Sequence, residues 1–312
     1  MNTKIAIIIP YFGKFPEWID LYFQSCMKNI MFDFYFFTDC EMPESYADNM
    51  FFVKTSFPDY CKTVSEKLHV EFYPESAYKL CDLKPFYGYI HADILKDYDF
   101  WGFGDVDVVW GDMSKFYTED MFEKYDVFST HADRLSGHLT IIRNNRQYRE
   151  LCFKIKNWQE KLKAPNNFVL DENDFSVLLC PASKYIKKFY AKIIRKVFNW
   201  RDAWVIYYRI MPVWNFFFCP KEFCFKERFS TPILHTGKWT YKHDSDTWLY
   251  EDGKIINAKT GKEYMYLHFM IFKKNVFRTD HFWNENFYQI AEKHAFVEKD
   301  KIKISKTGIT LE

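Results

Sequence analysis

The sequence predicts an α/β protein: a mostly parallel central sheet with helices on its faces, followed by a helical, basic and aromatic C-terminal region. Three observations carry this. Lys4-Ile-Ala-Ile-Ile-Ile-Pro10 is an unbroken, largely β-branched run, the composition of a strand covered on both faces. A helical pattern and a second apolar strand follow directly, making a βαβ unit with parallel pairing and a right-handed crossover. A third run, Phe100-Trp-Gly-Phe-Gly104, ends on Asp105-Val-Asp107, and open α/β sheets bind ligands at the carboxyl ends of their strands.

The elements follow in order. After the turn Tyr11-Phe-Gly13, Pro16 suits a first helical turn, and Trp18, Leu21, Tyr22 and Ser25 recur at helical spacing as far as Asn29. Phe32 to Thr38 is the second strand, ending at Asp39. Ser76 to Leu95 carries Tyr78, Cys81, Leu83, Phe86 and Ile90 in a helical rhythm that Pro85 must break or restart. Val127 to Thr130 and Leu139 to Arg143 are two strands around a polar loop holding Arg134, Ser136, Gly137 and His138.

Past Pro181 the composition changes. Lys184, Lys187, Lys188, Lys192, Arg195, Lys196, Arg201 and Arg209 face one acid, Asp202, and alternate with apolar and aromatic residues. This basic amphipathic stretch is either an ordinary surface helix or one that docks on an anionic membrane surface. Trp248 to Ile256 is a hairpin turning on Asp252-Gly253. Tyr264 to Phe272 is a last apolar segment containing His268, and the charged end beyond Val297 is expected to fray.

At 312 residues the chain can bury a sizeable core as one large domain or two small ones. Its 34 Phe, 22 Tyr and 10 Trp supply rings on which sugars can stack, although most such rings serve a core. A formal net charge of +1 excludes a protein built to coat nucleic acid. The eight cysteines lack zinc-ribbon spacing and lie among apolar neighbours, as buried thiols do in a reducing, cytoplasmic setting. Ile5 to Pro10 is too short for a signal core, and no run reaches the ~18 uncharged apolar residues of a membrane span.

The chemistry centres on Asp105 and Asp107. Two hard carboxylates one residue apart at a strand end suit Mn²⁺ or Mg²⁺ bridging two phosphates, and the glycines before them let a ligand approach the backbone. With this motif, Ile-Ile-Pro-Tyr-Phe-Gly (8–13), Phe-Phe-Thr-Asp (36–39), Tyr-Lys-Leu-Cys-Asp-Leu-Lys-Pro (78–85), Ser-Gly-His-Leu-Thr (136–140), Asp-Glu-Asn-Asp-Phe (171–175) and Leu-His-Phe-Met-Ile-Phe-Lys (267–273) stand in a telling order. Together they resemble the bacterial GT-A glycosyltransferases with an Asp-x-Asp motif, in particular a group linked to surface polysaccharide synthesis. The resemblance implies a GT-A-like (Rossmann-like) fold. It covers roughly 1–180 and 260–275, so that 1–180 is expected to be the nucleotide-sugar-binding core, 181–230 a basic aromatic helical segment, and 231–312 the part, with the hairpin and a metal-binding His, that completes the site.

It also implies roles. Tyr11 would stack on the base and Asp39 would bond base or ribose, although a buried turn aromatic and a strand-end cap are the plain alternatives. Lys79, Asp82 and Lys84 resemble a Lys-x-x-Asp-x-x-Arg pattern whose Asp binds donor-sugar hydroxyls, with Pro85 where the Arg would stand. Asp105, Val106 and Asp107 would meet the diphosphate. His268 would be the third metal ligand and Lys273 a phosphate ligand. His138 joins the donor-binding residues, its loop lining the acceptor side. Asp171, Glu172 and Asp174 would act on the reacting sugar, as base, nucleophile or charge stabiliser, or else complement a helix dipole.

The expected function is metal-dependent transfer of a sugar from a nucleoside diphosphate sugar to a hydroxyl of a glycan or lipid-linked glycan. Tyr11 and Asp39 favour a UDP-sugar, and Lys79 with Asp82 favours retention. The location expected is cytoplasmic, peripheral on the inner face of the cell membrane. The competing classes are a metal-dependent phosphoesterase or nucleotidyltransferase, and a non-catalytic glycan- or membrane-binding protein. The first wants further carboxylates for a second metal, and the second leaves the Asp-x-Asp without a reason.

Overall fold

A computed structural model describes residues 3–43, 46–198, 200–226, 228, 230, 234–235, 238–239, 247–270, 272–273, 283 and 301–312. Strands β1 (Ile5–Pro10), β2 (Phe32–Thr38) and β3 (Met50–Lys54) pair in parallel, and β4 (Phe100–Gly104) joins β1 in parallel on its other side. Strand β5 (Val108–Trp110) leaves the sheet. Strands β6 (Val127–Ser129) and β7 (Leu139–Arg143) form an antiparallel pair, β7 lies antiparallel to β4, and β8 (Phe223–Phe225) runs parallel to β6. The order β3-β2-β1-β4-β7-β6-β8 is therefore mixed but mostly parallel.

Side-chain alternation explains the apolar run of β1. Ala6 and Ile8 pack on one face against Tyr60, Val64 and Phe86, while Ile5, Ile7 and Ile9 pack on the other against Tyr22, Phe34 and Phe36. Helix Ile19–Met27 covers the second face with Tyr22, Phe23 and Cys26. Helix Phe57–Leu68 covers the first, starting at Ser56, whose side chain accepts from the Asp59 N–H. β3 and this helix are absent from the sequence reading, yet Ser56-Phe-Pro-Asp59 carries a cap and an early Pro. Pro85 neither breaks nor starts a helix at its own position: it lies inside a 3₁₀ helix, Ala77–Phe86, which ends one residue later, and short α-helices Tyr87–Ile90 and Ala92–Leu95 follow.

The C-terminal region departs from expectation. Helical segments run from Ala182 to Val197 and from Trp200 to Phe218, but the described residues beyond are mostly strands. They are β9 (Leu234–His235), β10 (Lys238–Trp239), β11 (Trp248–Glu251), β12 (Lys254–Asn257), β13 (Glu263–Tyr264), β14 (Tyr266–His268), β15 (Ile302–Ser305) and β16 (Gly308–Leu311). Period-two alternation is the reason. Asp252 and Gly253, at φ 46° and 71°, close the β11–β12 hairpin and leave Trp248, Tyr250 and Ile255 inside. The expected fray is likewise corrected for 301–312: Ile302, Ile304 and Ile309 are buried on that hairpin, with β15 antiparallel to β11. Residues 298–300 of the tail lie outside the described residues. Among the described residues, no helix is long and apolar enough to cross a membrane.

Candidate active site

The carboxyl end of β4 delivers Asp105, and β5 begins straight after Asp107. β5 pairs antiparallel with β14, with His268 opposite Val108, and the Phe269 N–H donates to the Asp107 carbonyl at 2.8 Å. This pairing sets His268 Nε2 3.3 Å from Asp107 Oδ2, while Lys273 Nζ reaches the same oxygen at 2.5 Å. From the other side, Lys84 Nζ donates to Asp105 Oδ1 at 2.6 Å and to the Gly137 carbonyl at 2.9 Å, and lies 4.0 Å from Asp171 Oδ2. Asp105, Asp107, Lys84, His268, Lys273 and Asp171 thus form one cluster.

Charge is finely divided here. Burial raises the Asp105 carboxyl above its ordinary value, against the pull of Lys84. At Asp107 burial acts in the same direction, but Lys273 and His268 outweigh it and hold the group well below the usual range. Burial alone would lower Lys84; Asp105 and Asp171 beside it reverse that and keep its ammonium charged. Burial pushes Asp171 up to about 7, and its Oδ1 is buried with no hydrogen-bond partner. Gly137 makes the convergence possible, since a Cβ there would lie 3.2 Å from both Asp171 Oδ2 and Lys84 Nζ.

The remaining expected residues divide. Glu172 reaches the cluster's edge: its Oε2 accepts from Arg134 Nε at 2.9 Å and its Oε1 lies 3.4 Å from the Gly137 N–H. Burial raises its pKa, but Arg134 and His131 outweigh this and hold it below the ordinary value. Asp174, on the π-helical turn Asp171–Phe175, pairs with Lys161 at 2.8 Å instead. Lys79 and Asp82 bond each other at 2.8 Å, both buried. Asp82 also accepts from the Phe168 and Leu170 N–H groups, and Lys79 donates to the Lys161 and Asn166 carbonyls. These atoms lock the 161–170 loop and offer no open face to a sugar.

His138 is buried under the cluster, its Nε2 2.8 Å from both Thr130 Oγ1 and Tyr266 Oη and its ring 4.7 Å from that of His268. Burial, then His268, lowers it well below an ordinary histidine, so it stays neutral. Asp39 accepts from the Gly13 N–H at 2.7 Å, tying the loops after β1 and β2; Gly13, at φ 99°, adopts the turn that presents this donor. Tyr11 stacks on Phe15, and burial, Cys40 and Asp107 raise its phenol. The sequence reading gives neither Trp18, a helix-face residue, nor Tyr78, the first residue of the 78–85 motif, a role in the site. Trp18 Nε1 donates to the Val106 carbonyl at 2.8 Å, and Tyr78 is 46% exposed while close enough to Asp105 and Asp107 to feel both charges. Their signal was nearness in the sequence to the turn at Tyr11-Phe-Gly13 and to the Lys79–Lys84 charges, which periodicity alone does not separate from a core face.

Among the described residues, no three or more His, Cys, Asp or Glu side chains gather to hold a metal ion. A cavity of about 490 Å³ lined by Ser65, His69, Tyr73 and Glu160 lies elsewhere and includes none of the candidate residues.

The model of a family of unknown function (DUF6625) matches residues 7–299. No curated protein matches the chain. Among the solved structures similar to it are an active-site mutant of LgtC and galactosyltransferase LgtC in complex with donor and acceptor sugar analogues. Each is 11% identical with a TM-score of 0.33, over 54% of this chain and 71% of that one. At that similarity the functional reading rests on the site.

Proposed function

The chain belongs to this family of unknown function, and from its site we propose a GT-A-type glycosyltransferase that moves a sugar from a nucleoside diphosphate sugar to a hydroxyl of a glycan or lipid-linked glycan. One observation carries the reading: Asp105 and Asp107 stand at the carboxyl end of β4 with Lys84 on one and Lys273 and His268 on the other. Two ammonium groups and two carboxylates gathered in one cluster suit a diphosphate better than a neutral ligand. Lys84 and Lys273 can exchange their carboxylate partners for phosphate oxygens as negative charge grows on the leaving group.

Asp107 Oδ1 is buried with no hydrogen-bond partner, and His268 stands beside the other oxygen, so the donor types fit a hard divalent cation, although among the described residues the three candidate donors are not gathered around one point. Asp105, Asp107 and His268 would hold Mn²⁺ or Mg²⁺, which when bound neutralises diphosphate charge. Asp171, with a pKa of about 7, donates a hydrogen bond to a sugar hydroxyl when protonated and opposes positive charge on the ring when ionised. Glu172, oriented by Arg134, stays an acceptor. Tyr11 and the tied Gly13–Asp39 loops form the rim that would take base and ribose, favouring UDP. Retention draws support from the resemblance alone, because Lys79 and Asp82 are occupied with each other.

For the acceptor, the helical stretch 182–197 supports an anionic lipid surface. Tyr185, Phe189, Ile193 and Val197 are exposed every fourth residue, Lys184, Lys188, Lys192 and Lys196 precede them, and Ile186 and Ile194 turn inward. The reading is tested by screening nucleotide-sugars for donor hydrolysis with and without Mn²⁺. Release of nucleoside diphosphate from at least one UDP-sugar is expected; no release from any donor, with folded protein, contradicts it.

A further inference from the structure

All eight cysteines stand as thiols, but two of them nearly touch: Cys180 Sγ lies 2.7 Å from Cys219 Sγ. That is closer than non-bonded sulfurs ordinarily approach and short of the ~2.05 Å of a disulfide bond. The two residues bracket the helical excursion 182–218. Cys180 follows helix Ser176–Leu179 and precedes Pro181; Cys219 follows helix Trp200–Phe218 and precedes Pro220. Each backbone is fixed, with the Cys180 N–H donating to the Ser176 carbonyl at 2.9 Å and the Cys219 N–H to the Asn215 carbonyl at 3.0 Å. Asn215 in turn donates to the Ala132 carbonyl at 2.7 Å, anchoring this end to the β6–β7 loop.

We infer that Cys180 and Cys219 are a covalent modification site, at which a small-molecule disulfide converts the pair to an internal cross-link clamping the base of the excursion. Cys219, the more exposed, attacks the small disulfide and expels one thiolate. Cys180, buried behind it, then attacks the Cys219 sulfur and expels the second. Two cysteine S–H groups and one small S–S bond become one protein S–S bond and two small thiols, so two electrons pass to the oxidant. The neighbouring Cys180 sulfur and then burial raise the Cys219 thiol, leaving little thiolate and making the reaction slow.

The helical excursion is linked by hydrogen bonds to the acidic residues of the site. From the excursion, Tyr207 Oη donates to Asp133 Oδ2 at 2.8 Å, Asp133 pairs with Arg134, and Arg134 holds Glu172. The cross-link itself is independent of the glycosyl-transfer reading.

The test is prolonged incubation of the intact chain with oxidised glutathione, alkylation after denaturation, and peptide mapping by mass. Loss of two of the eight thiols is expected, with one peptide linking Cys180 to Cys219, reversal by dithiothreitol, and slower tryptic cleavage within 182–218. Cys219→Ser should remove the linked peptide. Eight thiols retained, glutathione adducts without linkage, or another pairing overturns the inference. The wild-type map decides even if the variant does not fold.

Discussion

Burial raises the Asp171 carboxyl to about 7, against the pull of the Lys84 ammonium 4.0 Å away. Its folded-state value lies above the ordinary one, so the stability it contributes is complete below the unfolded pKa and is lost as pH rises to about 7. If the ionised form does the work, donor turnover rises with pH through about 7 and levels above it. Asp171→Asn should flatten that limb of the pH–rate profile; an unchanged profile would separate Asp171 from the chemistry. The Lys79–Asp82 pair makes a different prediction. Asp82→Asn leaves a buried ammonium without its charge partner and should cost on the order of 3 kcal/mol in a denaturant titration. Wild-type stability in that variant would show the pair to be dispensable to the 161–170 loop. Spacing placed Asp82 correctly on the same helix as Lys84, but which way each pointed was not in the sequence. Lys84 turns to Asp105, and Asp82 turns to the Phe168 and Leu170 backbone.

At the scale of elements, the strands read well where composition and period agreed. β1, β2, β4 and β7 show buried runs whose alternate residues feed two cores. The end of the chain was misread because Lys301 and Lys303 hid the alternation of Ile302 and Ile304, which pays off only beside β11. The π-helical turn at Asp171–Phe175 could not be told from an ordinary acidic helix start, yet it sends Asp171 inward and Asp174 out to Lys161. The basic and apolar alternation of the helical excursion was legible in the sequence, and exposure adds that Tyr185, Phe189, Ile193 and Val197 face outward beside the lysines. Each lysine near an anionic bilayer should contribute about 1 kcal/mol, so vesicle co-sedimentation should fall steeply with salt and with Lys188→Glu plus Lys192→Glu. Equal partitioning onto neutral and anionic vesicles would return the stretch to a plain surface helix.

Over the whole molecule, the two aspartates and their strand were legible in the sequence, His268 and Lys273 only through the resemblance, and the contacts that join them come from the fold. The antiparallel pairing of β5 with β14 brings His268 and Lys273 to Asp107, and the 3₁₀ helix brings Lys84 to Asp105. Neither meeting follows from local spacing, since both join segments far apart in the chain. The account's central claim is that this meeting is a nucleoside diphosphate site assisted by a divalent cation. The direct measurement is calorimetric titration of UDP into the intact protein, in Mn²⁺ and in EDTA, repeated with Asp107→Ala. The account predicts binding in Mn²⁺ that weakens by about 10²–10³-fold both in EDTA and in the folded variant. Equal affinity in all three, or no binding of UDP at all, would contradict it.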